Sequence, residues 1–143
     1  MQLFSDTTFL VALFNVKDAH HRRAVEEMRR LAKQPSRLPV LITTDYIFDE
    51  LITALFIRTK RHDIAVAAGR TLLEPGPAKV MRLESSTFDR AWRIFVGRKD
   101  KQWSFTDCTS FSFMEELGLR EALSFDSNFE EAGFVMRPGA GPT

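Results

Sequence analysis

Short apolar runs of strand length alternate along this chain with stretches of helical periodicity, and that alternation restricts its fold more than any other feature. Residues 2–5, 39–42, 78–83, 122–125 and 133–136 read as short buried strands. Between them, Ala24, Met28 and Leu31 give helical spacing within 18–33, and Ile47, Leu51, Ala54 and Leu55 form one stripe of a helix over 45–59. A further helix over 62–73 is stopped by Glu74-Pro75-Gly76-Pro77. Residues 86–97 carry Phe88, Trp92 and Phe95, and 105–118 carry Cys108, Phe111, Met114 and Leu117 before Gly118. Apolar strands separated by amphipathic helices predict an α/β domain whose mostly parallel sheet is covered on both faces. In such sheets ligands gather outside the carboxyl ends of the strands, where strand order reverses.

A chain of 143 residues is long enough for one domain with a proper core. We expect that domain over residues 1–137, with 138–143 as a flexible tail. Thirteen Phe point to a packed interior, and no apolar run approaches the roughly 20 residues that cross a bilayer. The start lacks the pattern of a signal peptide, and a single cysteine, Cys108, excludes an internal disulfide, so a reducing cytoplasm is expected. A net charge of +1 does not by itself announce a nucleic-acid partner.

Four acids stand where an acid has little ordinary reason to be. Asp6 and Asp126 end apolar strand runs, Glu50 interrupts the apolar stripe of its helix, and Asp107 opens another helix. If they converge, they form a negative pocket suited to a divalent cation acting on phosphates. Each also has a structural alternative. Asp6 can cap a helix starting at Thr7, Asp126 can cap a turn through Ser127 and Glu130, and Ser104-Phe105-Thr106-Asp107 resembles a capping box. Glu50 can pair loosely with Arg58, but a buried carboxylate is costly unless paired or metal-bound. Thr8, Thr106 and Asn128 are candidates to orient these carboxylates or a water, their alternative being ordinary helix-start and turn residues. His20, His21 and His62 lack metal-ligand spacing, and Cys108 lies on an apolar stripe and reads as packing.

At these positions the chain resembles the PIN-domain ribonucleases, including the VapC-type toxins. The similarity runs through Phe4-Ser5-Asp6-Thr7-Thr8, Asp18-Ala19-His20-His21-Arg22-Arg23-Ala24, Thr43-Thr44-Asp45-Tyr46-Ile47-Phe48-Asp49-Glu50-Leu51, Ser104-Phe105-Thr106-Asp107-Cys108 and Leu123-Ser124-Phe125-Asp126-Ser127-Asn128-Phe129. These motifs fall in the family's order over nearly the whole chain. The resemblance implies a three-layer α/β/α domain with a five-stranded parallel sheet of order 3-2-1-4-5. It implies Mg²⁺ or Mn²⁺ at the acidic cluster, cleavage of single-stranded RNA, a homodimer, and often an antitoxin partner; no membrane partner is expected, because no apolar run is long enough. Asn128 departs from the pattern, standing where many members carry a second acid, which implies fewer metal ligands.

On this reading Asp6, Glu50 and Asp107 are core ligands and Asp126 a ligand, water orienter or base. Arg22, Arg23, Arg58, Lys60, Arg61, Arg98, Lys99 and Lys101 are candidates to hold RNA, each also readable as solvated surface. Two other readings remain: a phosphatase or phosphotransferase with Asp6 as nucleophile, and a non-catalytic RNA- or protein-binding module. The helix over 45–59 is apolar on more than one side, through Phe48, Ile52, Phe56 and Ile57, so we expect cover from its own chain or from a second subunit.

Overall fold

Alternate side chains of the strands feed two separate cores. The computed structural model describes residues 1–34 and 39–139. Leu3, Leu41 and Leu123 pack with Phe9, Ala12, Ala24 and Leu31 on one face of the sheet. Phe4, Ile42 and Ala122 pack with Leu51, Leu55, Phe111, Met114 and Phe129 on the other. Neighbouring residues of one strand thus serve opposite faces, as the two-residue strand period requires.

In chain order the elements are β1 (Gln2–Ser5), α1 (Thr7–Phe14), α2 (His21–Ala32), β2 (Val40–Thr44), α3 (Asp45–Thr59), α4 (His62–Leu73), β3 (Ala78–Met81), α5 (Ser85–Gly97), α6 (Phe105–Leu117), β4 (Glu121–Leu123), α7 (Asn128–Glu131) and β5 (Val135–Arg137). All strand pairs are parallel, in the order β3-β2-β1-β4-β5. The chain moves outward from β1 through β2 to β3, then returns to β4 on the other side of β1. The order therefore reverses between β1 and β4, which opens a crevice at their carboxyl ends. The five expected strands and the expected sheet order are all present.

Boundaries differ from the sequence expectation for local reasons. The second helix starts at His21 rather than near 18, because Asp18 turns the chain by accepting from the His20 amide at 2.8 Å. The fourth strand ends at Leu123; the Phe125 amide donates to Thr8 Oγ1 at 2.9 Å instead of to a strand. Gly133, at φ 96°, holds a turn that delays β5 to Val135. At the far end, Gly139 accepts from Arg23 Nη2 at 2.7 Å. Residues 140–143 of the expected tail lie outside the described residues. No helix among the described residues is long and apolar enough to cross a membrane.

The many-sided apolarity of α3 is covered in part by its own chain. Ile47, Leu51 and Leu55 are buried inward, while Phe48 and Ile52 close over Gly69 of α4. Phe56 and Ile57 stay 49% and 66% exposed. A Cβ at Gly69 would stand 3.3 Å from Ile52 Cδ1 and 3.4 Å from Phe48 Cζ, so a branched side chain there forces α3 and α4 apart. Gly69→Val should lower stability by about 1–3 kcal/mol in urea unfolding with an unchanged slope. A variant as stable as the parent would show that these helices slide freely.

Candidate active site

The register of β1 on β4 builds the centre of the crevice. Phe4 lies beside Ala122 and Ser5 beside Leu123, so the next pair, Asp6 and Ser124, meet just beyond the strands. Ser124 Oγ donates to Asp6 Oδ2 at 2.6 Å and accepts from the Asp126 amide at 2.9 Å. Thr8 Oγ1 reaches both Asp6 oxygens, at 2.8 and 2.9 Å, and the Phe9 amide donates to Oδ1 at 3.0 Å. Asp6 is thus the N-cap of α1, as its structural alternative required, and is also 4% exposed in the crevice.

Asp107 enters from α6. Ser104 and Asp107 form a reciprocal capping box, each side chain bonding the other's amide at 3.0 Å. Asn128, at the start of α7, ties the acids together: its Nδ2 donates to Asp107 Oδ2 at 3.1 Å and its backbone amide donates to Asp126 Oδ1 at 2.9 Å. Thr106 contributes its carbonyl to Thr109 Oγ1, and its hydroxyl bonds none of the acids.

Glu50 stands apart. It is exposed rather than buried on the stripe, and Thr7 Oγ1 donates to its Oε1 at 2.5 Å. It lines a pocket of about 350 Å³ with Thr8, Asp18, His20 and Arg58. Arg58 faces Asp18 at 4.0 Å rather than Glu50.

Electrostatics distinguish this crevice from an ordinary polar cluster. Among the described residues, none of the four acids is in an ion pair, although seven such pairs occur elsewhere. Burial pushes the Asp6 carboxyl up to about 7, against the pull of its bonds to Ser124, Phe9 and Thr8, and the Asp126 charge adds to the rise. Burial also raises Asp107, again with a contribution from Asp126. These are oxygen donors carrying unneutralised charge, the chemistry that suits a hard divalent cation. Among the described residues, no three acidic, His or Cys side chains are gathered closely enough to hold a metal as they stand.

The remaining candidates have local duties. His20 stacks on Phe125 and His21 Nδ1 meets the Ala12 carbonyl at 2.7 Å, in line with non-ligand roles. Burial, then the Asp107 charge, pushes the Cys108 thiol up to about 11, so it is no nucleophile at neutral pH. Sequence reasoning missed Ser124 and Thr7; the only available sign of Ser124 was its place at a strand end two residues before Asp126.

Residues 3–135 match the PIN domain family. The chain belongs to that family. It is 38% identical over 140 residues to a Mycobacterium tuberculosis protein named 23S rRNA-specific endonuclease VapC20, covering 95% of this chain and 98% of that one. The crystal structure of M. tuberculosis VapC20, described as a sarcin-ricin loop cleaving toxin, superposes with a TM-score of 0.80 at 34% identity, over 93% of this chain and 96% of that one. VapBC2 from Rickettsia felis, bound to a promoter DNA fragment, matches with a TM-score of 0.70 at 11% identity over 96% and 98% of the two chains, a likeness of fold.

The raised Asp6 carboxyl makes a test of its burial. The unfolded chain holds that proton only up to about pH 4, the folded chain up to about pH 7. Its contribution to stability is therefore full below about pH 4 and is lost as pH rises through 7. Asn at this position keeps the cap without the charge. In chelator, Asp6→Asn should match wild type near pH 4 and melt several degrees higher, as an order of magnitude, above pH 7. A constant difference across that range would refute the assignment.

Proposed function

We propose that this chain is an endoribonuclease that hydrolyses single-stranded RNA with Mg²⁺ or Mn²⁺, and that it is the toxin of a toxin–antitoxin pair. The observation that carries this reading is the buried Asp6 carboxyl at the β1–β4 crevice, with Asp126 beside it and Asp107 linked to Asp126 through Asn128, in a chain so similar to a named RNA endonuclease. We assign Asp6 and Asp107 to hold the cation. Asp126 ligates it, orients the attacking water or takes its proton, and Glu50 closes the outer rim through water. When bound, the ion would polarise the scissile phosphate and acidify a water. Thr8 and Ser124 fix the Asp6 rotamer, Asn128 fixes Asp107 and Asp126, and the Thr106 hydroxyl is available to orient a water.

The relatives' names make a loop of ribosomal RNA the first substrate to test and a cytoplasmic location the natural one. Phe56 and Ile57 on α3, with Leu73 of α4 at 59% exposure, are the apolar remainder that we assign to a homodimer. An antitoxin would cover the acidic crevice with cationic side chains.

Asp107→Asn should cut Mg²⁺-stimulated cleavage of RNA by more than about 100-fold, since even residues that only orient ligands cost 10–100-fold. Its circular dichroism should be unchanged, and Asp6→Asn and Glu50→Gln should follow it. Mg²⁺ should raise the melting temperature of wild type but not of an Asp6→Asn, Asp107→Asn double variant. Undiminished cleavage by all three single variants would make the acids structural. For the dimer, Phe56→Glu should convert sedimentation from dimer to monomer at micromolar concentration. A wild type that is already monomeric would exclude that interface.

A further inference from the structure

The acidic crevice makes no use of the aromatic residues of α5. Trp92 is 55% and Phe95 42% exposed, and their rings stack at 5.9 Å with planes 15° apart. Phe105, which opens α6 two residues before Asp107, meets both rings edge-on at 6.3 Å. Beside this platform lies a groove of about 680 Å³, also lined by Arg98, Lys99, Lys101 and Trp103. The Trp103 ring is almost wholly buried there, with the Arg98 guanidinium 4.9 Å and the Lys101 ammonium 5.8 Å from its centroid. Lys99 is in no ion pair among the described residues. Ser104, whose hydroxyl accepts from the Asp107 amide at 3.0 Å, also lines the groove.

We propose that this groove is a binding subsite for the RNA, in which unpaired bases beside the scissile phosphate stack on Trp92 and Phe95 while Arg98, Lys99 and Lys101 hold the flanking phosphates. The proposal deepens the ribonuclease reading and rests on it for the identity of the ligand. Exposed aromatic faces bordered by cations are the pairing that single strands select: every base offers a π-face and every linkage a charge. No carboxylate is among the groove's described lining residues; Arg98 and Lys101 pair with the exposed Asp100 and Glu131, weak pairs that a phosphate can displace, and Lys99 is in none among the described residues, so the groove can take a polyanion. A second copy fits less well, because a twofold contact centred here sets the three cations against their own equivalents. The acidic crevice repels phosphate until a cation is bound, so affinity must come from a neighbouring surface of opposite sign. This groove supplies it, and its lining includes Ser104 and Cys108, which flank Asp107 along the chain.

The test uses the full chain with Asp6→Asn in every arm to prevent cleavage, and a fluorescein-labelled, unstructured 12-nucleotide RNA. Trp92→Ala and Phe95→Ala should each weaken binding about 5- to 100-fold, as loss of one base stack does, and Trp92→Phe should restore most of it. Lys99→Ala should reduce the slope of log affinity against log salt by about one, and Trp92→Ala should leave that slope unchanged. Trp92→Ala binding within twofold of the parent would overturn the proposal. So would a fall from dimer to monomer in Trp92→Ala, which would make the platform a subunit contact. Loss of RNA binding in these variants, from a chain that with Asp6 restored cleaves nothing, would sink the ribonuclease reading and leave the subsite standing.

Discussion

The Asp6 carboxylate is the interaction on which the remainder of this structure depends. It starts α1 by capping it, holds Thr8 and Ser124, and through Ser124 joins β1 to the segment beyond β4. Those bonds join the two halves of the sheet at the point where strand order reverses. A neutral group could make most of them, and burial of the charge opposes the fold at neutral pH. An amide would serve the scaffold as well, so the acid costs the fold stability with no structural return. On the proposed reading a bound cation would remove the conflict by supplying the counter-charge that the chain withholds.

The fold was legible because its signals are local. Strand runs too apolar for a one-faced sheet, and helices between them, leave few arrangements besides a covered parallel sheet. The order 3-2-1-4-5, which came from family resemblance rather than periodicity, is the order observed. The acids at strand ends were legible for the same reason, since a carboxylate closing an apolar run must emerge at the sheet's edge. What escaped depends on register or on angle. Ser124 acquires its role only because β1 and β4 pair with Ser5 beside Leu123, which no local pattern announces. Glu50 was read as inward because it adjoins Leu51. It lies about 100° round the helix from the centre of the buried Ile47, Leu51 and Leu55, on the flank of the stripe, and there it meets solvent and Thr7.

The chain's small net charge conceals a division of labour. Anionic groups without partners collect at the β1–β4 crevice, and cations collect over aromatic rings around the groove between α5 and α6. The ion pairs lie elsewhere, or engage cations such as Arg98 through an exposed neighbour, Asp100. Arg98 and Lys101 are paired with the exposed Asp100 and Glu131, which leaves Lys99 as the groove cation outside any ion pair among the described residues. On the proposed reading the crevice and the groove attract different ligands, a metal ion and a polyanion, without basic composition overall.

Asn128 shows how the acidic surface stays folded when no cation is bound. In the family pattern a second acid is common at this position, and a carboxylate there would add a third like charge between Asp107 and Asp126. The amide instead donates to Asp107, while its backbone donates to Asp126, so one residue meets both carboxylates with hydrogen rather than with charge. The bond to Asp107 favours its ionised carboxylate, opposing the rise that burial imposes there. The exchange of an acid for an amide leaves Asp107 and Asp126 joined through one residue. On the proposed reading, an arriving cation would find these side chains already oriented by hydrogen bonds and not set by repulsion alone.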